Sequence, residues 1–273
     1  MIDFIRELFE FRFLSHAAVA CLLAGVACGI MGTYIVCRRL VFLSGGITHA
    51  SFGGIGIAYY LGLNPIAGAG VFAVASALSM ELLSQKMKIR EDSAIGILWS
   101  VGMAVGTVMV TLTPGYAPNL MSFLFGNILT ITVADLWAMG VLAGVLLLVF
   151  ALFYRPILYI AFDREYARTQ GLPVGWVNGA MMALTAVTIV LSIRLVGIVL
   201  LISLLTLPPV IVNSVTRSYR KITVWSCLLS AAGTFTGLFV SYKMDIPSGA
   251  ATIIVLSLTL ILVKTIVYFG KKR

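Results

Sequence analysis

The chain has 273 residues, of which 60% are hydrophobic and only 11% are charged, with a mean hydropathy of +1.07. Soluble domains carry about 25% charged residues, so a water-soluble enzyme is excluded before any motif is read. The net charge of +9 would point to nucleic acid in a soluble chain; in so apolar a chain it is the placement of the charges that carries information.

Residues 1–13 mix Phe4, Ile5, Leu8, Phe9 and Phe11 with Asp3, Arg6, Glu7 and Glu10, the pattern of an amphipathic interfacial helix. No basic stretch precedes a short apolar core, so no cleaved signal peptide is expected. Stretches free of Asp, Glu, Lys and Arg then run 14–37, 40–80, 93–134, 136–154, 172–193, 195–216, 222–242 and 246–263. One membrane helix needs ~20 apolar residues, so the two stretches of about 40 residues must each be divided. Asn64-Pro65 divides the first into about 41–62 and 65–84; the second gives a span at about 93–113, the turn-rich run Thr113–Asn119, and a short re-entrant or interfacial piece at 119–131. The expected fold is all-α, a single transmembrane domain over 1–273 with about eight or nine spans.

Threading nine alternating segments puts Arg38, Arg39, Lys86, Lys88, Arg90, Arg155, Arg164, Arg168, Arg217, Arg220, Lys221, Lys264, Lys271, Lys272 and Arg273 on one side. Only Arg6, Arg12, Arg194 and Lys243 fall on the other. Basic loops stay cytoplasmic, which sets the C-terminus inside, the N-terminus outside and Arg194 at an external turn.

Small residues recur at GxxxG spacing in Gly25/Gly29, Gly102/Gly106, Gly140/Gly144, Gly175/Gly179 and Gly233/Gly237, where helices in lipid can approach closely. Cys21, Cys28, Cys37 and Cys227 form no CxxC pair and read as packing residues rather than a zinc site or a disulfide framework. Pro208-Pro209 is expected to break the apolar segment that contains it, at a cavity or a packing hinge.

Ionisable residues inside a span are costly and therefore functional candidates. His49 is the clearest, in Ser44-Gly45-Gly46-Ile47-Thr48-His49-Ala50-Ser51-Phe52-Gly53-Gly54; imidazole is the commonest protein ligand for transition metals, and Thr48 and Ser51 add hydroxyls. Asp245, in Asp245-Ile246-Pro247-Ser248-Gly249, reads either as a carboxylate opening a helix or as a group at an external mouth. Glu81 and Asp135 lie near span ends and are expected to be solvated. Residues 161–173 are the longest polar stretch and predict a short cytoplasmic helix stopped by Gly171 and Pro173, of the kind that docks a partner. No G-x-x-x-x-G-K-[ST] loop occurs and no intramembrane acid–histidine chain suggests a proton relay, so a transporter of this sequence needs energy from another subunit.

Four stretches, Arg38–Gly54 with its THASFGG core, Arg90–Ile97, Phe162–Gly171 and Asp245–Ala250, together with the Val196–Pro208 run, resemble in order and spacing the membrane permeases of ABC-type manganese, zinc and iron importers, the ABC-3 family. The resemblance implies a fold like that of type II ABC importers and a homodimer. It also implies cytoplasmic ATPase subunits and an extracellular or periplasmic metal-binding protein as partners, in a prokaryotic cell membrane and without nucleic acid. The chain itself would be no enzyme and would hold no permanent cofactor, only a divalent zinc, manganese or iron ion in transit. His49 matches the family's pathway histidine, with Asp245, Thr48 and Ser51 as further pathway candidates. Asp163, Glu165, Ala167 and Gly171 match the helix that couples to the ATPase. Many members carry an acidic residue three positions before the histidine, where this chain has Gly46. The alternatives are a permease for a siderophore or corrinoid chelate, a proton-coupled secondary metal carrier and a non-transporting scaffold.

Overall fold

The computed structural model describes residues 6–8, 10–114 and 131–270; the expected piece at 119–131 and most of the N-terminal amphipathic segment lie outside these. The helices are α1 (Arg12–Cys37), α2 (Val41–Tyr60), α3 (Pro65–Lys86), α4 (Glu91–Leu112), α5 (Val133–Leu152), α6 (Tyr154–Phe162), α7 (Arg164–Thr169), α8 (Val174–Val215), α9 (Tyr219–Met244) and α10 (Ser248–Gly270). Among the described residues, eight of these are long and apolar enough to cross a membrane. The connections are short because the sequence supplies the stops. Asn64 caps α3 by accepting from the Ile66 and Ala67 amides at 2.9 and 3.4 Å, with Pro65 in the first turn, the arrangement that fits proline's missing donor.

The chain divides into two compact units, residues 38–120 with 153–190, and 1–37 with 121–152 and 191–273. In the first, α2 lies against α3 and α4 almost backbone to backbone. A Cβ on Gly102 would stand 2.5 Å from the Ala50 Cα, and one on Gly56 would stand 2.6 Å from the Gly106 carbonyl oxygen. Such contacts exclude any side chain and lock the three helices together.

In the second unit α1 packs on α9 in the same manner: a Cβ on Gly25 would meet the Ala231 nitrogen at 2.6 Å, and one on Gly29 the Cys227 Cα at 2.5 Å. Gly233 and Gly237 of α9 receive Leu256 and Thr252 of α10. The GxxxG expectation holds for Gly25/Gly29, Gly102/Gly106 and Gly233/Gly237. It fails for Gly140, Gly144 and Gly175, where an added Cβ would meet nothing within 4 Å. Spacing marks a face that permits close approach; it does not supply the neighbour.

α8 corrects two expectations. Its 42 residues would reach about 63 Å as one straight helix, twice the ~30 Å hydrocarbon core. The interruption falls at Gly197 (φ 76°, ψ 167°), a left-sided geometry open to glycine. Arg194 is therefore helical rather than at a turn, and its guanidinium stands 2.7 Å from the Asp135 carboxylate. Pro208 and Pro209 lie within the helix; proline's φ suits a helix, and the lost amide donors are tolerated where other groups satisfy the freed carbonyls.

Candidate functional site

α2 carries His49 near its middle. Its imidazole is half-buried, and it lies flat on the indole of Trp99 in α4, with ring centroids 4.3 Å apart and planes 5° from parallel. Stacking fixes the imidazole plane and engages a face of the ring, not its nitrogen-bearing edge. The glycine-mediated seam between α2 and α4 brings these rings together. Trp99 was not legible as a site residue in the sequence, because its register against His49 exists only once the two helices are packed; its one signal is an amphipathic indole inside an apolar span.

The hydroxyls flanking His49 do not join it. Thr48 is buried and donates to the Ser44 carbonyl at 2.7 Å; Ser51 is buried and donates to the Thr48 carbonyl at 2.6 Å. Both satisfy the helix's own backbone, as hydroxyls in apolar helices commonly do. Gly46 is likewise buried, and a Cβ there would run into the side chain of Ile95; this chain fills with an aliphatic group the place where a longer side chain would go.

Asp245 is exposed and ends α9 in a left-handed conformation (φ 54°, ψ 44°), its amide donating to the Ser241 carbonyl. It closes one helix rather than opening the next, since α10 starts at Ser248 and its Ala251 amide bonds to the Pro247 carbonyl at 3.1 Å. Aspartate is among the few non-glycine residues that enter this conformation readily.

The 161–173 stretch forms α6, a sharp corner and α7. Asp163 is the corner: its carboxylate accepts from the Tyr166 amide at 3.0 Å and caps α7. Gly171 (φ 73°) closes the helix, and Ala167 is fully buried against Ile160 and Val174, so it seats α7 on its own chain. Glu165 projects outward, 90% exposed, 3.7 Å from Arg168, and Tyr166 is exposed beside Tyr159, edge to face at 5.6 Å.

Arg164, at the start of α7, turns the other way. Its guanidinium lies 3.8 Å from Glu81 of α3 and 3.4 Å from Glu91 of α4. Glu91 in turn faces Arg38 at 4.0 Å, and Arg38 donates to the Asn178 side-chain carbonyl of α8. The Arg38 side chain is 5% exposed and that of Glu81 10%, so the solvated role expected for Glu81 is corrected, as it is for Asp135, whose side chain is 10% exposed beside Arg194. Charges this buried are held only where they are paired. The pairing is non-local and leaves no trace in the sequence.

Among the described residues no three His, Cys, Asp or Glu side chains cluster closely enough to hold a metal ion. What the chain offers is an oriented imidazole in a span and, apart from it, a short helix built to present exposed polar groups. The ABC 3 transport family matches residues 10–268. The chain belongs to that family. It is a membrane-spanning permease subunit, not a catalyst, with ATP hydrolysis in a separate subunit. It is 38% identical over 258 residues to an uncharacterized membrane protein of Synechocystis, covering 94% of this chain and 92% of that one. It is 33% identical over 254 residues to the manganese transport system membrane protein MntC of Halalkalibacterium halodurans, covering 93% and 87%. In structure it is similar to a chain of PsaBC from Streptococcus pneumoniae in complex with Fab, with a TM-score of 0.85, 26% identity, and coverage of 96% and 95%.

Proposed function

We propose that this chain is the membrane-spanning subunit of an ATP-driven importer of divalent transition metal ions, with manganese as its cargo. The observation that carries the reading is His49: an imidazole midway along a membrane span, its ring plane held by Trp99, in a chain similar to manganese transport proteins. An imidazole suits zinc and iron as well, and the preference for manganese rests on those relatives.

In this reading an external metal-binding protein delivers the ion to an outward-open cleft where two copies of the chain meet. ATP binding and hydrolysis in two cytoplasmic partners then move α7, opening the inner gate and closing the outer one. One imidazole per chain gives weak, incomplete coordination, which suits conduction because an ion held in a closed cage would not leave. Asp163 and Gly171 shape α7, Ala167 seats it, and Glu165 is the residue that faces the ATPase. Asp245 is proposed for the external mouth.

The test is uptake of radioactive Mn2+ by cells expressing the permease with its ATPase and binding protein, competed with unlabelled Mn2+, Zn2+ and Fe2+. Uptake that requires the ATPase and is displaced most effectively by Mn2+ is expected. Uptake that persists without the ATPase would show a self-sufficient carrier instead.

A further inference from the structure

We propose that Arg164 is a positioning residue that passes movement of α7 to the helix carrying His49. The route is continuous within one compact unit. Arg164 lies within 4 Å of carboxylates on two different helices, Glu81 of α3 at 3.8 Å and Glu91 of α4 at 3.4 Å. Both helices are joined to α2 by contacts too close for any side chain: α4 through Gly102 against Ala50, and α3 through Gly68 against Gly54. Ala50 is the residue next to His49, and Trp99, which covers the imidazole, is itself on α4. A pull on Arg164 therefore reaches His49 through α4 twice, by the backbone beside it and by the ring stacked on it.

Three features single out the charge pair as the link. Among the described residues, the buried apolar side chain of α7 packs on neighbours in sequence, Ala167 against Ile160 and Val174. The guanidinium reaches past them to two helices distant in sequence. The cluster also balances charge, with two guanidiniums (Arg38, Arg164) facing two carboxylates (Glu81, Glu91) and Asn178 accepting from Arg38. Removing one member leaves a buried partner charge uncompensated, so the pairs move together rather than slip.

This inference rests on the proposed reading of α7 as the element that engages the ATPase. Its test uses the whole importer in proteoliposomes and reads Mn2+ accumulated per ATP hydrolysed. Arg164→Gln is expected to lower that ratio about tenfold, within the usual range of coupling between sites, while ATP hydrolysis stays within about twofold of wild type. Arg164→Lys, which keeps the charge, is expected to restore the ratio to within about threefold. Glu91→Gln, at the more exposed end of the cluster, is expected to lower the ratio less, and its effect should not add to that of Arg164→Gln. An unchanged ratio in Arg164→Gln, or in Glu91→Gln if the former does not assemble, would overturn the inference, as would hydrolysis and uptake falling in parallel. A wild-type importer that hydrolyses ATP without accumulating Mn2+ would overturn the functional reading beneath it.

Discussion

The His49 region and the Arg164 cluster belong to the same unit of the chain and treat polar groups in opposite ways. Around Arg164, two carboxylates, two guanidiniums and an amide meet one another's charges and hydrogen bonds at 4 Å or less. Around His49, the neighbouring hydroxyls turn back to their own helix and the imidazole is left with an aromatic face. A charged group met by opposite charges on other helices ties those helices together; an imidazole stacked on an aromatic face keeps its nitrogens for a ligand, which is the basis of the two roles proposed above.

That contrast is broken most strongly at Glu81. Glu81→Ala strips a buried partner from Arg164, and a loss of about 3 kcal/mol is expected, the scale for breaking a buried pair by one member. Thermal unfolding of the detergent-solubilised permease measures it. A variant as stable as wild type would show that the cluster is held by packing alone.

A smaller effect is expected at Gly46. Gly46→Ala forces a methyl group against Ile95 in a buried seam, and overpacking of about 1–3 kcal/mol is expected. Pairing it with Ile95→Ala should recover most of the stability in the same unfolding assay. Failure of that second change to help would place the strain elsewhere.

The smallest stability effect belongs to Glu165, which is exposed and paired only with Arg168. Glu165→Gln should shift stability by no more than about 0.5 kcal/mol. Its expected effect is instead on co-purification with the ATPase, because its side chain points away from the chain's own core. Unfolding and pull-down on one sample separate the two.

Local features of the fold were legible in the sequence, and long-range ones were not. Asn64-Pro65 and Gly171 declare helix ends through their own side chains and dihedrals, and the structure uses them as read; the corner at Asp163, inside the single helix expected over 161–173, was missed. His49 announces itself because an ionisable group in an apolar span has few bland explanations. The break at Gly197 was missed in favour of Arg194 and Pro208-Pro209. Charge and proline are strong one-residue signals, whereas a glycine in an apolar run is ambiguous among packing, bending and nothing. Glu81, Asp135 and Trp99 were missed for a common reason. Each acquires its role from a residue on another helix, and a single sequence does not show which faces meet.

The central claim is that His49 is the ion's ligand in the pathway and not a structural residue. The most direct test is ATP-dependent Mn2+ uptake into proteoliposomes by His49→Ala, with the amount and thermal stability of the assembled importer measured alongside. Uptake falling to background at wild-type levels of assembled, equally stable importer is the predicted result. Wild-type uptake by His49→Ala would contradict the claim.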